Sequence, residues 1–201
     1  PIMAAENAAF TIINGWERVE YIKPSEDFHP SLSFHFDETF DIVAKEIINI
    51  RDNVGLCEVN GFNRFEITGL DAENFIDRMF CGNITHKPGR VGLGYLLNDF
   101  GMVKSEATIA NIPASDRGPN RMWYGSAAAS EFHDMDWLSQ HINPDENVKI
   151  KSLTNDQTTL IVAGPKAREV ISACSREDWS KEAFPWLSVR ECFIGFSAAT
   201  V

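Results

Sequence analysis

The strongest constraint in this sequence is a pair of apolar runs, Gly92 to Leu97 and Met102 to Ile112, on either side of Asn98-Asp99-Phe100-Gly101. Two such runs around a four-residue turn that ends in glycine make a β-hairpin. The rest of the chain supplies elements to either side of it. Phe40, Val43, Ile47 and Ile50 recur at helical spacing. Asp37 or Thr39 can cap that helix, Glu38 suits its first turn, Arg51 its last, and Gly55 ends it. Leu56 to Val59 reads as a short strand, and Phe65 and Ile67 alternate with polar neighbours as in a half-buried strand. Asp71 heads a helix with Phe75, Ile76, Met79 and Phe80 on its apolar face, stopped by Gly82-Asn83.

Beyond the hairpin, Met122 to Tyr124 is a strand, and Phe132, Met135, Leu138 and His141 share a helix. Val148 and Ile150 alternate with lysines, Leu160-Ile161-Val162 is a buried strand, and Gly164-Pro165 opens a helix carrying Ala167, Val170 and Ile171. Val189 to Phe196 is the last strand. Residues 1–36 show no clear periodicity and read as an extended arm. This order predicts an α+β fold, antiparallel sheets with packed helices.

Composition removes whole classes of function. The 201 residues are 44% hydrophobic and 23% charged, which excludes disorder, collagen and coiled coil as descriptions of the whole chain. A net charge of −11 argues against a nucleic-acid partner, because that binding runs on phosphate neutralisation by basic patches. No run reaches the ~18 apolar residues of a spanning helix, so no membrane role is expected. Cys57, Cys81, Cys174 and Cys192 form no metal or disulfide pattern and read as reduced thiols. The chain begins Pro1-Ile2-Met3 and stops at Phe196-Ser197-Ala198-Ala199-Thr200-Val201, so both ends look cut from a longer polypeptide.

Motifs for chemistry are sparse. Gly92-Leu93-Gly94 leads into a strand, not a helix, so it does not cradle phosphate, and no P-loop occurs. His29, His35, His86, His133 and His141 lack metal-ligand spacing, and no metal site is expected. No serine sits in a nucleophile elbow. Glu106 is a carboxylate on an otherwise apolar strand. The pattern leaves open whether it faces a cleft, where burial and a nearby cation would tune it, or open solvent.

Five stretches in order carry a resemblance. They are Phe10 to Arg18 with Gly15-Trp16-Glu17-Arg18, Ile50 to Leu56, Thr68 to Phe75, Leu96 to Gly101, and Val162 to Ala167. The sequence resembles the folate-dependent aminomethyltransferase family, typified by the glycine-cleavage T-protein. Within it, the sequence looks most like the C-terminal half of dimethylglycine and sarcosine dehydrogenases. The resemblance implies tetrahydrofolate binding and transfer of the oxidised N-methyl carbon of a small methylated amine to the folate. It implies an FAD-containing domain or subunit outside this chain, and a bacterial cytoplasm or mitochondrial matrix as location. Homo-oligomerisation stays open. It implies Glu106 as the catalytic carboxylate, and Leu93, Tyr95 and Asn98 as cofactor-binding positions.

Two departures qualify that expectation. The family has Asp where this chain has Glu106, whose extra methylene moves the carboxylate ~1 Å or more outward, enough to matter in a preorganised site. A later pterin-holding motif of the family would begin past Val201. The expectation is therefore an arm (1–36), a first lobe (37–145) and an incomplete second lobe (146–201), inactive on their own. The alternatives are a demethylase of another methylated amine or sulfonium compound, a non-catalytic folate-binding or assembly module, and a regulatory domain without a ligand.

Overall fold

The computed structural model describes residues 2–13, 15–31, 33–82, 87–116 and 118–201. In chain order the first elements are α1 (Ile2–Ala5), β1 (Ala8–Ile13), β2 (Trp16–Ile22), α2 (Glu38–Asp52), β3 (Gly55–Glu58), β4 (Phe65–Thr68), α3 (Ala72–Met79) and β5 (Phe80–Cys81). There follow β6 (Arg90–Leu97), β7 (Val103–Ile112), β8 (Arg121–Gly125), α4 (Glu131–Gln140) and β9 (Lys149–Ser152). The last are β10 (Leu160–Ala163), α5 (Ala167–Cys174), β11 (Glu191–Ile194) and β12 (Ser197–Thr200). Among the described residues no helix is long and apolar enough to cross a membrane. The chain forms two compact units, Pro1–Val59 with Thr159–Val170, and Asn60–Thr158 with Ile171–Val201.

The first unit pairs β1 with β2 and β3 with β10, both antiparallel. The first 36 residues are thus more regular than expected. A helical turn and a hairpin occupy much of them, and Gly15 beside the turn takes φ +82, a region closed to most side chains. Helix α2 forms where its spacing predicts. The Asp37 carboxylate accepts from the Thr39 amide at 2.9 Å, satisfying an orphan N–H of the first turn. Its far end is clamped: the Lys166 backbone N–H donates to the Asn53 carbonyl at 2.9 Å, and Lys166 Nζ to Asn53 Oδ1 at 2.7 Å. Gly164 permits that approach, because a Cβ there would lie 2.5 Å from the Asn53 carbonyl oxygen. One expectation fails. No residue of α2 is buried, and Phe40 and Ile47 of the predicted core face are half exposed.

The second unit holds a six-stranded antiparallel sheet in the order β5-β6-β7-β8-β4-β9 and a separate β11-β12 hairpin. Helices α3 and α4 cover one sheet face. Ala72, Phe75 and Ile76 of α3 and Leu138 of α4 pack there against Phe65, Ile67, Leu96, Ala107, Ile109, Met122 and Tyr124. The Phe65 and Tyr124 rings stack at 5.2 Å. Phe80, expected at the end of α3, instead starts β5 and still reaches this core. Asn83 and His86 lie outside the described residues. Val189 to Phe196 was expected to be one strand. A turn at Gly195 (φ +58) breaks it into a hairpin with β12.

Helix α4 turns Met135 and Leu138 to the core as expected, but not Phe132. Phe132 is exposed, and Asp134 is wholly buried. One Asp134 oxygen accepts from the hydroxyls of Ser105 (3.0 Å), Tyr124 and Ser126, and the other lies 2.9 Å from His133 Nδ1. Asn63 extends the cluster by donating to Ser126 Oγ at 2.7 Å and accepting the Ser126 amide at 2.9 Å. Burial pushes the Asp134 carboxyl up, but the hydrogen bonds from Ser126, Tyr124, His133 and Ser105 outweigh it and hold the group below its usual range. Burial, then the bond to Asp134, pushes the Tyr124 phenol well above its usual value.

Two stability predictions follow from this packing. Phe75→Ala should cost about 3–5 kcal/mol in urea unfolding, whereas Ile47→Ala should cost under about 1 kcal/mol. Equal losses would show that α2 is buried after all. Asp134→Asn should cost about 3 kcal/mol by leaving its hydroxyl donors without their anion. Because the folded carboxyl titrates below the unfolded one, its contribution is present above pH ~4 and is lost as pH falls further. Urea titrations at stepped pH should therefore show less acid dependence below pH 4 in Asp134→Asn than in the parent.

Candidate functional site

The long hairpin β6-β7 builds the candidate site. Its turn is closed by Asn98, whose side-chain oxygen accepts from the amides of Phe100 and Met102, both at 3.0 Å. The Asn98 backbone N–H donates to the Met102 carbonyl, and Gly101 takes the φ of +75 that the turn requires. The acceptor capacity of the Asn98 side chain is thus spent on shaping the hairpin.

Register then decides which side chains meet. Leu93 stands opposite Thr108, and Tyr95 opposite Glu106. Directly opposed residues share a sheet face with Cβ atoms ~5 Å apart. Strand alternation puts Leu93, Tyr95, Glu106 and Thr108 together on the face away from α3 and α4, because the intervening Gly94, Leu96, Ala107 and Ile109 turn inward. A β-bulge at Leu96/Leu97 pairs Leu97 with Val103 and leaves Lys104 as the extra residue. Two consequences follow. Val103, expected in the core, lies exposed. Lys104 sends its ammonium 4.1 Å over the Trp137 ring of α4, away from Glu106. None of the ion pairs among the described residues involves Glu106, which is exposed.

Thr108 is also opposite Gly125 on β8. A Cβ on Gly125 would come 2.5 Å from the Trp123 ring, so glycine is what lets this indole lie flat along the strand. Trp123, half-buried, packs with Val91, Ala110, Ile112 and Val189 at the far end of the face. The Leu187 carbonyl accepts from Val91 N–H, and Val189 N–H donates to Gly89, which fixes this cover along the start of β6. The near end, around Glu106, stays open.

The structure therefore brings Leu93, Tyr95 and Glu106 onto one face and keeps Asn98 at the turn. Sequence reading missed Thr108 and Trp123. Their signal was available in the i, i+2 alternation of β7 and in the Trp123-Tyr124-Gly125 run. Chemically, the arrangement is an anionic group among apolar and aromatic side chains on a rigid sheet. It suits a flat, partly apolar ligand with a positive or hydrogen-donating edge.

The comparisons agree with this architecture. Over residues 1–201 the sequence matches the GCVT N-terminal domain. Sarcosine oxidase subunit alpha of Rhizobium meliloti (strain 1021) is 31% identical over 153 residues, 74% of this chain and 15% of that protein. Mitochondrial dimethylglycine dehydrogenase of Homo sapiens is 29% identical over 178 residues, 88% of this chain and 20% of that protein. The chain thus spans a fifth or less of these two relatives. Among solved structures, the glycine cleavage system aminomethyltransferase T from Bartonella henselae superposes with a TM-score of 0.71 at 17% identity, over 96% of this chain and 46% of that one. That identity speaks for the fold alone, and the fold is the α+β one expected from the sequence. Together, the match over the full length and the shared fold place this chain in the GCVT N-terminal domain family.

Proposed function

We propose that the open sheet face around Glu106 is one wall of a tetrahydrofolate site, and that the domain passes an oxidised N-methyl carbon of a small methylated amine to the folate. The observation that supports this most directly is the placement of Glu106 beside Tyr95 and Leu93 on one rigid face with no cation of its own. The residues fit the group. Leu93 and the half-buried Trp123 offer apolar surface to a flat ring, and Thr108 and the Tyr95 hydroxyl offer hydrogen bonds at its edge. Bound tetrahydrofolate would supply the nitrogen that takes up the one-carbon unit.

The contribution of the chain itself is electrostatic and geometric. Glu106 sits mid-strand, its backbone held by ladder pairing to β6, so its side chain projects from a fixed point on the face. It would stabilise positive charge on the incoming one-carbon unit and orient the ligand by accepting hydrogen bonds. Asn98 would act at one remove by fixing the hairpin that sets the Tyr95–Glu106 register. Oxidation of the amine would belong to an FAD-containing domain or subunit outside these residues. The division into a first lobe at 37–145 and a partial second lobe at 146–201 belongs to the same proposal. The alternative substrates, another methylated amine or a sulfonium compound, would use the same face.

The test is Glu106→Gln in the whole protein, with substrate oxidation and methylenetetrahydrofolate formation followed in parallel. Transfer to folate should fall by about 10²-fold, the scale of losing one preorganised electrostatic group, while substrate oxidation is unchanged. Equal transfer by the Gln variant would remove Glu106 from the site. Equal transfer together with undiminished folate affinity in Tyr95→Ala would remove the sheet face.

A further inference from the structure

We infer that Arg121 is a positioning residue: through its ion pair with Glu191 it holds residues 187–191 as a strap across the outer face of the six-stranded sheet, and so sets the far wall of the ligand slot that begins at Glu106. The inference rests on the reading of that face as the folate site.

The strap crosses three strands in the sheet order β6-β7-β8. At β6 its backbone is bonded on both sides of Arg90. Val91 N–H donates to the Leu187 carbonyl and Val189 N–H to the Gly89 carbonyl, both at 2.9 Å. Arg90 Nη1 adds a bond to Ser188 Oγ at 3.0 Å. Over β7 the strap is held by apolar contact, because the buried Val189 packs on Ala110 and Ile112 beside Val91 and Trp123. Arg190 turns away to the rings of Trp179 and Phe184. At β8 the hold is ionic. One Glu191 oxygen pairs with the Arg121 guanidinium, and the other accepts the Ser115 hydroxyl. Arg121 and Trp123 share the outer face of β8 by strand alternation. Arg121 Nε also reaches Glu66 of the neighbouring β4 at 2.9 Å.

Burial makes the ionic anchor decisive. The Arg121 and Glu191 side chains are 13% and 8% exposed. Removing one partner of an enclosed pair strands the other charge away from water, at a cost far above that of losing a surface ion pair. Without Arg121 the Glu191 carboxylate has to move out to solvent, and it takes the strap with it. Glu66, 30% exposed, can be solvated where it stands. The wall that the strap forms has a defined place. Ala110, under Val189, is four residues from Glu106 along β7, roughly 13 Å at ~3.3 Å per residue. That span accommodates a fused flat ring lying along Thr108 and Trp123, and it turns any longer extension of the ligand off the sheet. Arg121 therefore acts on where the ligand lies and not on the transfer step at Glu106.

The test uses the whole protein with Arg121→Met, which keeps side-chain length and removes the charge. Exchange of the Val91 and Val189 amides should quicken about tenfold or more, while the amides that pair β7 with β8 keep their protection. The KM for tetrahydrofolate should rise about tenfold, with kcat for transfer within about twofold and substrate oxidation unchanged. Combining Arg121→Met with Glu191→Met removes the stranded carboxylate and should restore slow exchange and most of the KM. Glu191→Gln leaves Arg121 paired with Glu66, so it spares the fold, and it should show the same changes at smaller size. Unchanged exchange at Val91 and Val189 in both single variants would overturn the strap. Faster exchange with an unchanged KM would overturn the wall. An unaltered folate KM in Tyr95→Ala would instead overturn the reading of the face, and the wall with it, while the exchange result still judges the strap.

Discussion

The second unit is organised around one buried anion. Asp134 is enclosed, yet its carboxylate gathers hydroxyl donors from β7, from β8 and from the residue that follows β8, together with the His133 ring of its own helix. An isolated carboxylate in that position would carry several kcal/mol of desolvation, and a half-satisfied one would be worse than an apolar side chain. Full satisfaction turns the liability into a geometric specification. Leu could fill the volume in several rotations of α4, but only one rotation brings the carboxylate within reach of three hydroxyls. The strands that supply those hydroxyls are the ones whose outer face carries Glu106 and Trp123. The anion therefore fixes the scaffold from behind the candidate site without touching it.

A single extra residue decides what that outer face contains. Without the bulge at Leu96/Leu97, strict alternation from Val103 would place Ser105 with Val103 on the outer face and send Glu106 inward among Ala107's neighbours. The bulge inserts Lys104, returns Ser105 to Asp134 and turns Glu106 outward. It also diverts the only cation of this stretch of β7 to the Trp137 ring. A site that is to receive positive charge gains from this arrangement, because a neighbouring ammonium would compete for the carboxylate.

The strands and helices were legible because their apolar periodicities are local. The hairpin, β4, β8, α2 and α3 follow from spacing and turn residues that act within a few positions. Burial was less legible, and for a consistent reason. Phe132 loses its place in the core to Asp134 because tertiary hydrogen bonds outweigh the hydrophobic pattern, and no periodicity encodes partners on β7 and β8. Val103 left the core because a bulge cannot be seen in one strand alone. The hairpin β1-β2 was missed because Ala8 to Ile13 shows no polar alternation, although Arg18-Val19-Glu20-Tyr21 alternates and the Gly15 turn was present. For the site, Leu93, Tyr95 and Glu106 were nominated by resemblance, and the two-residue period of paired strands explains why they share a face. Trp123 carried a signal in the Trp123-Tyr124-Gly125 run, but its place on this face follows only from the register that joins β8 to β7 through Thr108 and Gly125.

The two units show how the same apolar vocabulary reads differently once context is known. In the second unit, Phe65, Ile67 and Leu96 find α3 and α4 on one side, and lysines guard the open edge. In the first unit, Leu56, Leu160 and Ile161 are just as apolar but stay 45–65% exposed, with Glu58 opposite Leu160. Hydrophobic burial is proportional to area removed from water, so residues of this kind contribute ~1.5–3 kcal/mol each only when something covers them. Local signals are enough to form α2 and the β3-β10 ribbon, since caps, clamps and ladder bonds need no core. The second unit sets its own Tyr95–Glu106 register, whereas the first holds its ribbon and α2 by caps, clamps and ladder bonds.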